Sequence, residues 1–485
     1  NSKNKTITIS ADTIVDKIRG GMLGQIIGNV NGFAYEFKFF DKPGEIKEYT
    51  PALPEGGVTD DDTDFEWVYI SKMQQSGVVM LPYQDINNLW IKSINKNIWC
   101  ANRYARYLMD LGISAPLTGN TVINPWSSFN LSGQFLCETY GLVAPAMPQT
   151  AAKIGLHYTR VAIDDEPAQT TQLFTTMVST AFVEKDMNKI LDAGIASLDA
   201  KSKFQKIIAD VKKWHQENPD DWQACRKLIH ENFQIKDNLT RNRNGTEMNT
   251  AAIIGAFLYG KGDFKESIRL AFNFGYDADC NAATIGTILG AKYGYKKMMS
   301  EGWQITDRYK NTNRDGMPMD ETITSYADRV IAVFEMVNKQ NGGSKELINH
   351  QWVYKIASES PKNVYALKPE TLKKVELIAQ YQKQITLWLL NSDKKENAKA
   401  VYMAVCLDRA EAMKKAYPKQ WENACYNLSG YWKVMNNIFY GDKFNDLVQL
   451  KEKFIVQGFK KPAEIAKSDE LFNDKVFWKK PEGLY

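Results

Sequence analysis

Gly275-Tyr276-Asp277-Ala278-Asp279-Cys280-Asn281-Ala282-Ala283-Thr284-Ile285-Gly286 is the stretch on which the reading of the fold turns. It separates helical patterns. Ala251 to Tyr259 is apolar and stops at the Gly-Lys-Gly turn 260–262, and Phe264 to Phe272 resumes the helix. Beyond the stretch, Ala282 to Lys292 is rich in Ala and Gly, and Gly286 and Gly290 at i, i+4 leave one face smooth enough for close packing. In an extended turn, residues i and i+2 project to the same side, so Asp277 and Asp279 converge on one point. Taken alone, an Asp-x-Asp ahead of a helix reads equally as a cap.

The same grammar extends outward. Ser10 is an N-cap signal for a helix carrying Ile14, Ile18, Met22 and Ile26 on one face. Glycines at 20, 21, 24, 28 and 32 recur along it, a pattern of tight helix packing, with Glu36 just beyond. No Gly-Lys-Ser/Thr follows, so this is not a phosphate loop. Asp64 to Gln75 repeats Phe65, Tyr69 and Met73 at helical spacing, and Ser325 to Lys339 is again helical. Pro369–Asn391, Glu396–Ala416, Gln420–Ile438 and Asp446–Gln457 read as amphipathic helices, and no alternating β-branched run stands out. The expected fold class is all-α. Asn120 to Gly133, rich in Asn, Ser, Pro and Gly, reads as a surface loop. Gln-Asn-Gly-Gly-Ser at 340–344 reads as a linker, giving a domain 1–344 and a C-terminal helical domain 345–485.

Thr59-Asp60-Asp61-Asp62-Thr63-Asp64 puts four carboxylates within five residues. Burying such charges unpaired costs several kcal/mol each. A hard cation with oxygen ligands relieves this, and so does a helix start, where Asp is favoured by capping and the dipole. Composition excludes other chemistries. The 485 residues are 44% hydrophobic and 24% charged, with a net charge of +4, so there is no basic excess to argue for nucleic-acid binding. No apolar stretch reaches the roughly 18 residues of a membrane span. Six dispersed cysteines and four histidines form neither a Cys-x-x-Cys pair nor a His-Glu-x-x-His motif. A start at Asn1 without methionine or apolar leader suggests a mature exported chain, periplasmic or secreted, although a trimmed cytoplasmic chain would look the same.

Taken in order, Gly-x-Leu-Gly, Gly-Asn-x-x-Gly-x-x-x-Glu, Asp-Asp-Thr and Gly-x-Asp-x-Asp-Cys-Asn-x-Ala-Thr-x-Gly resemble the ADP-ribosylglycohydrolase family, of the dinitrogenase-reductase-activating glycohydrolase type, over about residues 14–337. The resemblance implies an all-helical fold with two magnesium ions, or manganese, between the motifs. The ligands would be Asp60, Asp61, Asp62, Asp277, Asp279 and Cys280. Asp60 and Cys280 depart from the family pattern, each replacing a hydroxyl. Glu36, Asp62 and Asp279 are the catalytic candidates, and Asn29, Tyr140, His157, Asn249 and Tyr276 the substrate-binding candidates, Tyr140 and His157 also fitting ordinary core packing. The implied activity is hydrolysis of a glycosidic bond to a ribose-like sugar, on a small molecule or glycan or an ADP-ribosylated protein. A secreted glycosidase for a non-nucleotide furanoside or oligosaccharide, and a non-catalytic ADP-ribose- or sugar-binding protein, are the rival readings.

Overall fold

The computed structural model of the chain describes residues 5–235, 243–440 and 445–460. It is built mostly of helices, as expected. Among the described residues, no helix is long and apolar enough to cross a membrane. Helix α1 (Ala11–Gly32) starts behind Ser10, and Ile14, Ile18, Met22 and Ile26 are all buried. Its glycine face lies antiparallel against the helix Ala278–Tyr293. A Cβ on Gly24 would sit 2.0 Å from the Gly286 carbonyl oxygen, and one on Gly286 would sit 2.1 Å from that of Gly24. The two backbones touch, so any side chain at the crossing forces them apart. This contact fixes where the acidic motifs meet, because the end of α1 lies against Asp279. Gly24→Val is therefore expected to cost about 1–3 kcal/mol or more through overpacking. A calorimetric melting temperature equal to the parent's would show that the helices part without penalty.

Two small sheets add strands that the sequence reading does not single out. One joins β1 (Thr6–Ser10), β5 (Ser344–Ile348) and β6 (Gln351–Ala357) in the order β1-β6-β5, all antiparallel. The other joins β2 (Gly57–Val58), β3 (Tyr309–Lys310) and β4 (Asp320–Glu321). Most are too short to show a period in sequence, but β1 and β6 alternate, and Tyr354 and Ile356 bury one face of β6.

The linker at 340–344 is also corrected. Gly342 turns the chain at φ 84°, and the Gly343 amide donates to the Asn338 carbonyl, so the segment is a tight helix-to-strand turn. Since β6 pairs with β1, the sheet runs across the expected boundary at 344. The added helices begin at Glu370–Leu390 and continue through Lys394–Cys406, Ala410–Ala416, Pro418–Ser429, Trp432–Tyr440 and Asn445–Val456. The single helix expected over Glu396–Ala416 is interrupted where Asp408 turns left-handed at φ 57°. Residues 461–485 of the expected C-terminal domain lie outside the described residues.

These helices share a hydrophobic core with Tyr104, Leu108, Ile123 and Trp126. Asn120–Gly133 is consequently buried beneath them rather than exposed as expected. The loop tolerates burial because its own amides serve the backbone: Asn124 Nδ2 donates to the carbonyls of Ala101 and Thr118 at 3.1 and 2.8 Å. Tyr402 adds a hydrogen bond to the Ile123 carbonyl, and Lys373 pairs with buried Asp164 at 3.0 Å.

Candidate active site

Helix α2 (Asp61–Ser76) begins behind Asp60, and the helix Ala278–Tyr293 begins behind Asp277. Neither N-cap side chain bonds its own helix. Capping therefore does not account for these carboxylates, and they remain available to another partner.

The segment after α1 brings Glu36 to them. Gly275 turns at φ 79°, and a Cβ there would lie 1.9 Å from the Phe39 carbonyl oxygen, so only glycine fits. Across this close approach the Tyr276 amide donates to Phe39 O at 3.1 Å and the Phe37 amide donates to Tyr276 O at 2.8 Å. The result is three overlapping groups whose ligand atoms lie within 4.8 Å of one another: Glu36 with Asp277 and Asp279; Asp62 with Asp279 and Cys280; and Asp60 with Asp61 and Asp62. Asp277 Oδ1 and Asp279 Oδ1 are buried without a hydrogen-bond partner. Buried, unpartnered carboxylate oxygens in a ring of like charge fit hard cations, which take oxygen ligands.

Burial and mutual repulsion push the carboxyls upward. Glu36 keeps contact with solvent at the cleft mouth, yet the surrounding walls and then Asp279 and Asp60 raise it to about 8. Burial and Glu36 raise Asp277 to about 8 as well, and Asp61, Asp62 and Asp279 lie well above the usual range for the same reasons. Raised acid values mean that the metal-free folded state binds more protons than the unfolded chain. Its stability from these groups is full below pH of about 4 and is lost as pH rises towards about 8. Divalent metal needs the ionised forms, so it is expected to bind with proton release and to offset that loss. Melting curves from pH 4 to 8, with magnesium or with chelator, check this. Parallel curves would refute the linkage.

Around the carboxylates lies a cleft of about 520 Å³, bordered by Glu36, Asp60, Asp61, Asp277 and Cys280. Of the expected catalytic trio only Glu36 borders it. Asp62 and Asp279 sit one layer behind, each 3% exposed or less. Asp62 is held there by Asn29, whose Nδ2 donates to Asp62 Oδ2 at 3.0 Å and to Asp60 Oδ2 at 2.9 Å, and by the Cys280 thiol at 2.6 Å. Burial and the carboxylates push that thiol well up, which keeps it protonated as a donor.

The expected substrate contacts are corrected. Asn29 is fully buried and orients carboxylates. Asn249 accepts from the Asp277 amide and from Asn281, so it shapes the turn. Tyr276 is buried, with its hydroxyl against His230 and the Arg226 guanidinium over its ring. Tyr140 stacks on Tyr158 in the core, and His157 is held by the Leu81 carbonyl at 2.7 Å and by the Tyr83 ring. All five are large or amide side chains whose polar atoms are already engaged or enclosed, so none lines the cleft.

The sequence reading missed the walls. Trp99, Asn97, Asn102, Asn130, Asn313 and Arg243 complete the cleft, with Phe37, Leu131, Phe135 and Asn244. Trp99 is backed by the Arg103 guanidinium, 4.7 Å from its ring centroid. It also missed Arg314, which takes Asp64 out of the acidic cluster in a fully buried ion pair of 2.7 Å. Below the centre lies a second buried carboxylate pair, Glu66 and Glu138. Gln25 donates to Glu66 at 2.8 Å and Thr284 to Glu138 at 2.6 Å. The i, i+4 steps from Asp62 to Glu66 and from Cys280 to Thr284 were the available signals for it.

The ADP-ribosylglycohydrolase family model matches residues 10–340. Comparison with curated proteins finds no match. The match spans more than half of the chain and every acidic motif of the cleft, so the chain belongs to the ADP-ribosylglycohydrolase family and is a hydrolase of glycosidic bonds.

Proposed function

We propose that the protein is a metal-dependent glycosidase that cleaves at the anomeric carbon of a ribose-like sugar, using two magnesium ions, with manganese as a substitute. The observation that carries this reading is the convergence of Asp60, Asp61, Asp277 and Glu36 on one cleft, backed by buried Asp62 and Asp279. Cations bound there supply Lewis acidity toward sugar hydroxyls and water. The chain's own contributions are separable. Asn29 and Cys280 hold the inner carboxylates in place. Glu36 stands at the mouth, where it can take the proton of an attacking water.

A second reading is a secreted glycosidase for a non-nucleotide furanoside or oligosaccharide, and the cleft walls support the sugar part of it. Asn97, Asn102, Asn130 and Asn313 line the cleft with amides, a type that pairs with hydroxyls, and Trp99 supplies a stacking surface. The amides pair through the capacity left after Asn97 donates to Asn313, Asn313 to the Thr59 carbonyl and the Ser132 amide to Asn130.

Purified protein with magnesium or manganese should be assayed on ADP-ribosylated Arg and Ser, nucleotide sugars and a panel of furanosides. Turnover confined to non-nucleotide glycosides selects the second reading. Saturable binding without turnover on any of them selects a non-catalytic binding protein and overturns both. Asp61→Ala and Asp277→Ala should each lose bound metal by elemental analysis, because the residues stand at the starts of different helices but border one cleft. Full metal occupancy in both variants would refute a shared site.

A further inference from the structure

A second concave site lies at the opposite end of the α1 helix pair. The helix Ala278–Tyr293 carries Asp279 at one end and Lys292 at the other, about 20 Å apart at 1.5 Å per residue. There, Lys17, Lys185, Lys292 and Lys297 line a cavity of about 340 Å³ with Tyr293, Phe182, Val183 and Glu184. The four lysines come from three separate parts of the chain, so helical periodicity does not explain their meeting.

None of the four forms an ion pair among the described residues. Among the described residues, Glu184 is the one carboxylate in the wall. The Asp16 carboxylate beside Lys17 accepts from the Lys296 amide at 2.8 Å. Lys17 is anchored, because its Nζ donates to the carbonyls of Lys292 at 2.9 Å and Ala291 at 3.4 Å. Lys292 and Lys297 share the Tyr293 ring, their Nζ atoms 5.5 and 4.0 Å from its centroid. Four lysines thus surround one concavity against two carboxylates, Glu184 in the wall and Asp16 beside Lys17, which leaves it net positive. Such an arrangement repels itself when empty and is relieved by a multiply charged anion. Burial lowers Lys17, with Asp16 opposing it and Lys292 and Lys185 adding to it, and burial, Lys297 and Lys185 lower Lys292.

We propose that this cavity binds a tetrahedral oxyanion, a phosphate or sulfate group, either free or as an ester on a sugar whose body lies on Phe182 and Val183. Ammonium groups act as point charges that suit such dianions. The site is independent of the acidic cleft, and its occupancy does not depend on the metal-dependent reading.

Isothermal titration with chelator present, at constant ionic strength, tests it with inorganic phosphate, inorganic sulfate, glucose 6-phosphate, glucose 6-sulfate and galacturonate. Saturable 1:1 binding of phosphate or sulfate is expected, weaker at higher salt. Lys185→Glu/Lys297→Glu alters two exposed side chains that make no hydrogen bond through Nζ among the described residues, and it should weaken binding about tenfold or more. Asp61→Ala should leave binding unchanged. Tighter binding of the esters than of the free ions identifies a modified sugar as the ligand, and equal binding identifies the free anion. No saturable binding to the parent, equal binding of galacturonate, or unaltered affinity in the folded double variant would each overturn the proposal.

Discussion

Glu36→Gln is expected to lower turnover about 10²–10⁴-fold while the protein stays folded and keeps its metal. Glutamine retains the size and hydrogen-bonding shape of the side chain but has no charge and cannot accept the water proton. Metal should persist because Asp60, Asp61, Asp62, Asp277 and Asp279 remain grouped without it. The pH profile separates this role from simple packing. Without metal the Glu36 carboxyl stands at about 8, and bound cations pull it lower. A base that must be ionised gives activity that rises with pH through its own value, so the parent's ascending limb falls below pH 8. The glutamine variant should lose that limb. Unchanged turnover at saturating metal would remove Glu36 from the mechanism.

Arg314→Met is expected to be the most destabilising single change away from the carboxylates, by about 3–5 kcal/mol. The guanidinium is wholly buried, paired with Asp64 at 2.7 Å, and donates to the carbonyls of Lys96 and Asn97 at 2.6 and 3.1 Å. It also lies over the Phe65 ring. Removing it strands a buried carboxylate and frees the loop that leads to Asn97 and Trp99, so the cleft wall loosens with the fold. Burial already raises Asp64 to about 7 with the partner present, which shows how poorly the site tolerates the bare charge. Arg314→Met/Asp64→Leu replaces the pair by apolar groups and should recover most of the loss. Calorimetry on both variants checks this. A single variant as stable as the parent would mean that Asp64 is neutral and Arg314 dispensable.

The acidic centre was legible because its parts are local. Asp60 to Asp62, and Asp277 to Cys280, are each contiguous, and the glycines of α1 and of the helix Ala278–Tyr293 recur at a helical period that any reading detects. Their meeting also followed, since two glycine faces that admit backbone contact have few other surfaces to seek. The helical character of the C-terminal part was legible for the same reason of periodicity, whereas the paired strands were not. β1 and β6 alternate, but they are separated by most of the chain, so neither sequence names its partner.

By itself the sequence determined the helical class, the family and the carboxylates that face one another. Only the tertiary structure decided which of them reach the cleft, that Asn29, Asn249 and Tyr276 serve the carboxylates and their turn rather than a substrate, and that Asn120–Gly133 is an interior loop. It alone brought Trp99, Asn102 and Asn313 to the cleft, and four lysines to the far end of α1. The physical reason is the range of the interaction. Periodicity, capping and glycine packing act between residues a few positions apart and are written locally, whereas burial, charge pairing and cleft lining arise between segments that only the folded chain makes neighbours.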